Sequence, residues 1–178
     1  MSFVHLHCHS PFSFLDGGSS IEDLAAEAAS LQMPALAITD HNNLCAAVKF
    51  NQTALLAGIK PIQGCEITLE NNCHLTLLAR NSKAYASICT LLTHAHLSNP
   101  RRKPAVSIND LENLQDTIVL SGCRRGELAA LIMAGRFQEA LHRSKQYLEL
   151  LGRENFYIEI QDNLLPGTRQ LNYYLLQL

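Results

Sequence analysis

Hydrophobic positions along this chain follow two periods, and they alternate. Where apolar residues recur every three or four positions, the run IEDLAAEAASLQM carries Ile21, Leu24, Ala28 and Leu31 on one face. Ser19 or Ser20 is placed to cap it, and Pro34 to stop it. The same spacing predicts helices over Leu44–Ala57, capped by Asn42 or Asn43 and closed by Gly58, and from Asn81 or Ser82 through Ala95. Shorter helices follow at Ile108–Leu114, Glu127–Ala134 and Gln138–Leu151, and a last one starts near Pro166. Between them lie short apolar or alternating runs that read as strands: Ala35–Thr39, Lys60–Thr68, His74–Ala79, Thr117–Ser121 and Asn155–Gln161. Helix and strand take turns, which predicts an α/β domain with mostly parallel strands.

One stretch breaks the pattern. FVHLHCHSPFSFLDG (Phe3–Gly17), read as a strand, puts His5, His7 and His9 on one face and Leu6 and Cys8 on the other. A half-buried strand normally shows Val, Ile or Phe on its inner face. Imidazole is the commonest protein ligand for borderline metals, so an H-x-H-x-H start followed by L-D-G points to a metal site. In open α/β sheets and barrels, chemistry gathers at the C-terminal ends of strands. The polar residues follow that rule: His7, His9 and Asp16 go with the first strand, Asp40 and His41 with the second, Glu66 with the third, and Cys123 with TIVLS. His74 is the exception, because it begins its strand.

Bulk properties narrow the partners. The 178 residues are 47% hydrophobic, enough for one domain with a real core, and a formal charge of −2 gives no overall footprint for nucleic acid or membrane. The N-terminus lacks the basic and apolar regions of a signal peptide, and no apolar run is long enough for a bilayer span. Six cysteines with no C-x-x-C pair read as reduced thiols of a cytoplasmic protein. His7, His9, Asp16, His41, Glu66, His74 and Cys123 offer seven N, O and S donors, more than one tetrahedral ion needs. A carboxylate such as Glu66 can bridge two cations, and paired cations about 3.5–4 Å apart serve phosphoryl hydrolysis. The His-rich set favours Zn²⁺ or Mn²⁺, with Mg²⁺ behind them, and Cys123 tilts it toward zinc.

These same residues carry a resemblance. HLHCHS-x-FS-x-LDG, ALAITDHNNL, GIKPIQGCE, HLTLLAR and VLSGCRRGEL occur in order and resemble the PHP (polymerase and histidinol phosphatase) domain. More narrowly they resemble the N-terminal PHP domain of bacterial DNA polymerase III alpha subunits. HLTLLAR, the SGCRRGE block and NFYIEIQ lean toward the error-prone paralogue. The resemblance implies a distorted (β/α)7 barrel with metal ligands at His7, His9, Asp16, His41, Glu66, His74 and Cys123, holding two to three divalent ions. Asp40 is then expected behind the ligands, hydrogen-bonding one of them or nearby backbone. The family's closing D-x-H block has no counterpart here, so residues 1–178 read as a single PHP domain lacking its last strand or strands and helix, with the polymerase body absent.

Implied partners are DNA, through the parent polymerase, and other replisome subunits. No membrane is implied, and oligomeric state is left open. Arg124 and Arg125, following Cys123, are the expected phosphate-binding catalytic pair. Arg101, Arg102 and Lys103 read as a solvated loop, and His94, His96 and His142 as ordinary helix-surface residues. Cys8 reads as a small core residue, and Glu159 and Gln161 as structural hydrogen-bonding partners. Three functions compete: a phosphoesterase that proofreads DNA 3′ ends in the intact parent, a non-catalytic metal-stabilised scaffold, and a free-standing phosphatase of the histidinol-phosphate type. The polymerase-like wording of the motifs argues against the third.

Overall fold

Local signals set most of the elements. In the computed structural model, which describes residues 3–178, helix α1 (Ile21–Ser30) starts at Ser20, whose hydroxyl accepts from the Asp23 amide. It ends three residues before the predicted stop, where the chain turns through Gln32 at φ 55°. Helix α2 (Ala47–Leu56) begins later than expected, because Asn43 closes a turn onto the Cys45 amide rather than capping a helix. Asn81 caps α3 (Ser82–Ser98) by accepting from Lys83 and Ala84. The predicted short helix is a 3₁₀ turn, Ile108–Asn113, closed by a Ser107–Asp110 capping box. Helices α4 (Glu127–Met133), α5 (Phe137–Leu151) and α6 (Thr168–Leu175) complete the set, and none of the described helices is long and apolar enough to cross a membrane. Met1 and Ser2, the first residues of the predicted domain, lie outside the described residues.

Five strands, β1 (Ala35–His41), β2 (Lys60–Thr68), β3 (His74–Ala79), β4 (Thr117–Leu120) and β5 (Phe156–Tyr157), form one sheet in sequence order. The sheet is not mostly parallel. β1 with β2 and β4 with β5 are parallel, but β3 runs antiparallel to both of its neighbours. The physical reason is the link between β2 and β3: residues 69–73 are far too few for a parallel crossover, so the chain must turn back as a hairpin. This reversal resolves the exception noted above. His74, first in β3, pairs with Thr68, last in β2, and so lies at the same mouth as the C-terminal ends of β1, β2 and β4.

Two cores lie side by side on the outer, helix-covered face of the sheet. Leu36 and Ile38 pack outward under α1 and α2 with Ile21, Ala25, Phe50 and Ala54, while Cys65, Ile67, Leu75, Leu77 and Val119 pack under α3 to α6 with Ile88, Leu128 and Tyr147. The opposite, concave face is lined at one end by Ala37, Leu78 and Leu120. It is tight: a Cβ on Gly64 would lie 2.3 Å from the Leu77 carbonyl oxygen and 3.0 Å from Thr39. The same face carries Thr39, His41, Glu66, His74 and Thr76 toward the mouth, by the period-two alternation of each strand.

Both sheet ends depart from the predicted strands. Residues 3–9 are not a regular strand. The Ala37 amide donates to His5 O at 2.9 Å and the Thr39 amide to Cys8 O at 2.8 Å, so three residues of the segment match two of β1. This bulge turns His5 out to solvent against Phe3 and leaves His7 and His9 over the mouth. Cys8 packs against the α1–α2 core, as expected. At the other end the predicted strand 155–161 shrinks to Phe156–Tyr157. Its partner β4 stops at Leu120 and turns away at Gly122 (φ 82°), and the Ser121 hydroxyl takes the Glu159 amide instead.

Candidate metal centre

Glu66 lies at the focus of the mouth, 1% exposed, opposite His41 in the β1–β2 register. Four imidazoles converge on it. His41 Nδ1 is 2.6 Å from Oε2, His74 Nδ1 3.0 Å from Oε1, His7 Nε2 3.5 Å from Oε1 and His9 Nε2 3.7 Å from Oε2. The Cys123 thiol donates to Oε1 at 3.5 Å, and Asp16 Oδ2 takes the other nitrogen of His41 at 2.8 Å. Each of the seven predicted ligands therefore stands at this mouth. His9 and His41 stack at 4.4 Å, with His7 and His74 edge-on beside them.

Proximity here does not amount to hydrogen bonding. Glu66 Oε2 and His74 Nδ1 are both buried without an aligned hydrogen-bond partner, although Oε2 has His41 Nδ1 beside it and His74 Nδ1 has the other oxygen, Oε1, beside it. Buried polar atoms are almost always paired, so two unpartnered atoms on adjoining residues of one site mark a place meant for something else. Nitrogen, oxygen and sulfur lone pairs directed at a shared space are the donor set of a divalent cation of the zinc or manganese kind. Three overlapping groups, His7/His9/Glu66, His9/Asp16/His41 and His41/Glu66/His74, each keep their donor atoms within 4.8 Å of one another. The residues fit such an ion.

Charge tells the same story. Burial opposes ionisation of Glu66, but the nearness of His41 and His74 and the charge of His7 outweigh it and hold the carboxyl well below the usual range. Glu66 in turn raises His41 to about 8, against burial and helped by Asp16. His9, stacked on that ring, is lowered by burial and by His41 and His7, so neighbouring rings are driven in opposite directions. Burial, together with the Glu66 charge, pushes the Cys123 thiol up to about 11. A cation reverses that last effect and deprotonates a coordinating thiol.

The supports are as specific as the donors. Asp40, 1% exposed, accepts from the Ser10 amide, the Ser10 hydroxyl and the Ser13 hydroxyl at 2.6–2.8 Å. Ser13, its proton given to Asp40, accepts from the His41 amide at 3.1 Å and from His9 Nδ1 at 3.2 Å, which leaves His9 Nε2 as the free lone pair. The L-D-G turn seats this loop, since a side chain on Gly17 would overlap the Ser10 carbonyl. Gly122 does the same for the turn bearing Cys123, where a Cβ would lie 2.5 Å from His74 O. His7 Nδ1 meets Glu159 Oε1 at 2.7 Å, from the far end of the sheet. A bond between the segment on β1's outer edge and the segment beyond β5 shows how far the sheet curls, as a distorted barrel must.

A model of the PHP domain matches residues 5–163. The chain belongs to the PHP domain family. Among its relatives, the error-prone DNA polymerase of Symbiobacterium thermophilum is 49% identical over 97% of this chain and 17% of its own length. The DNA polymerase III subunit alpha of Treponema pallidum is 36% identical over the whole chain and 16% of its own length. This PHP chain thus spans about a sixth of the polymerases it matches. An amidohydrolase structure from Chromobacterium violaceum shares the fold, with a TM-score of 0.56 at 14% identity over 96% of both chains.

The predicted arginine pair and the histidines expected to be ordinary make no side-chain bond to Glu66 among the described residues. Arg124 is engaged by the Pro166 carbonyl at 3.2 Å and the Thr168 hydroxyl at 3.4 Å, at the start of α6, whereas Arg125 is exposed. His96 bonds the Asn42 carbonyl at 2.8 Å, and His94 and His142 line surface grooves. Sequence reasoning did not single out Ser13 or Thr76, and it gave Glu159 only a structural part. Glu159 did carry a signal: a lone acid inside the apolar run FYIEI, just past a strand's end.

Proposed function

We propose that this chain is the PHP domain of an alpha-type DNA polymerase of the error-prone branch, a single domain of a cytoplasmic replication or repair enzyme, and that it is a metal-dependent phosphoesterase site acting on DNA. The observation that carries this reading is the carboxylate of Glu66, buried among four imidazoles with one oxygen lacking an aligned partner. His7, His9, Asp16, His41, Glu66, His74 and Cys123 would hold two to three divalent ions, zinc or manganese ahead of magnesium, with Glu66 shared between neighbouring positions. Bound cations supply positive charge to a phosphodiester and make water a stronger nucleophile at neutral pH.

The protein's own groups then orient and exclude. Asp40 and Ser13 hold His9 in one tautomer, and the buried strand floor keeps bulk water from beneath Glu66. Arg125, exposed beside the Cys123 turn, is the arginine free to meet a phosphate oxygen, while Arg124 braces α6. The 3′ end of a DNA strand is the substrate, and the replisome supplies the wider partners.

Elemental analysis of the purified chain, with a metal-to-protein ratio, and release of nucleotides from a mismatched 3′ primer by the full-length polymerase with Zn²⁺ or Mn²⁺ test this. Metal uptake with 3′ trimming supports the proposal, and an intact primer in the loaded polymerase refutes the nuclease. A second reading, a metal-stabilised scaffold, draws support from the way the cluster ties both ends of the sheet together through His7 and Glu159. His7→Ala in the full polymerase separates the two. Nuclease loss with normal synthesis favours the first, and loss of both favours the second.

A further inference from the structure

We propose that Glu159 is a positioning residue for the metal centre, fixing which nitrogen of His7 faces the cation. This rests on the metal-site reading above and adds a residue outside the seven ligands. Glu159 is 9% exposed and has no lysine or arginine partner among the described residues. Its surroundings are built around it. Gln161 Nε2 donates to Oε1 at 2.6 Å, the Thr76 hydroxyl donates to Oε2 at 3.3 Å, and its own amide donates to the Ser121 hydroxyl at 2.9 Å.

These bonds decide the His7 tautomer. His7 Nδ1 lies 2.7 Å from Glu159 Oε1. If Nδ1 carried no proton, two lone pairs would face each other at that distance, which is repulsive. Gln161 Nε2 gives one proton to Glu159 at 2.6 Å and reaches the same nitrogen only at 3.4 Å, too far to offset a lone-pair clash at 2.7 Å, and Thr76, 3.1 Å away, has its proton on Oε2. One assignment satisfies all four groups: Nδ1–H donates to Glu159, and the Nε2 lone pair points at the space beside Glu66 Oε1. A carboxylate behind a ligating histidine fixes the ring and raises its basicity. His9 is held in turn by Ser13, so His7 and His9 each have their own anchor, one from the segment beyond β5 and one from the loop that follows them.

The test compares the wild-type chain with Glu159→Ala and Glu159→Gln by Zn²⁺ titration against a chromophoric chelator and by side-chain ¹⁵N NMR of His7 in metal-free protein. Losing such an anchor costs about 10–100-fold in metal affinity, and that loss is expected for Glu159→Ala. Glu159→Gln keeps an acceptor without the charge and should fall at the lower end of that range. In wild type His7 should show a protonated Nδ1, and in Glu159→Ala a shift toward protonated Nε2. A purely structural Glu159 would lower the melting temperature of the variants and leave affinity and tautomer unmoved, which overturns the proposal. If the alanine variant does not fold, wild-type affinity in Glu159→Gln overturns it equally. A wild-type chain that takes up no Zn²⁺ sinks the metal-site reading instead, and the NMR comparison still decides the Glu159–His7 pairing.

Discussion

Two buried glutamates at opposite sides of the β3 start make an instructive pair. Glu127, at the first position of α4, receives the Tyr147 hydroxyl at 2.7 Å, Asn71 Nδ2 at 3.0 Å and Arg143 Nε at 3.2 Å. Each oxygen has a true donor, one of them permanently charged, and the helix N-terminus favours its negative charge as well. Glu66 is deeper and has more neighbours, yet one of its oxygens has no aligned donor. Glu127 is completed by protein alone and is structural. Glu66, on the reading proposed above, is completed by something that accepts lone pairs. Burial of an acid therefore says little about function until the direction of its neighbours is known.

The comparison can be broken in order of effect. Saturating metal at about 1,000 times its Kd should stabilise the chain by about 4 kcal/mol, removed by a chelator. Glu66→Gln should abolish that chelator response while leaving the metal-free protein folded, as checked by urea unfolding followed by circular dichroism. An undiminished chelator response in Glu66→Gln would erase the distinction drawn here. Glu127→Ala should cost about 3 kcal/mol, with metal and without it, because Tyr147 and Arg143 lose their partner. Tyr147→Phe should cost about 1 kcal/mol on the same measurement, with metal-to-chain ratio unchanged in both.

The smallest effect is one of pH. Metal-free, His41 is raised from 6.5 to about 8, so its contribution is fully present below 6.5 and lost as pH rises through about 8. Because the ring is partly open to solvent, the loss should stay under about 1 kcal/mol. Thermal melts between pH 6 and 9 should show it in the chelated chain. With metal bound, a cation stands in for that proton and this falling trend should vanish.

The sequence was most legible where local chemistry decides. β2 and β3 run over the residues their apolar patterns predict, and Ser20 and Asn81 cap the helices assigned to them. The direction of β3 was written in the five-residue link after Thr68, but helix–strand alternation elsewhere outweighed it. The first strand failed because a bulge is a property of pairing with β1, and the residues alone do not reveal it. Ligand types stood out because three histidines at period two are rare. Their anchors did not, since Ser13, Thr76 and Glu159 are ordinary residues until the fold sets them against an imidazole.

The hydrogen bond between His7 and Glu159 joins residues 152 apart. On a ribosome adding about 5–20 residues per second, roughly 8–30 s separate their emergence. Throughout that interval the His7–His9 arm is in water with one of its two anchors unmade. The nascent segment can hold an ion only loosely and exchange it freely. On the proposed reading firm capture waits for the segment bearing Glu159 to dock, so the choice of metal falls to the folded sheet rather than to the first histidines to meet solvent.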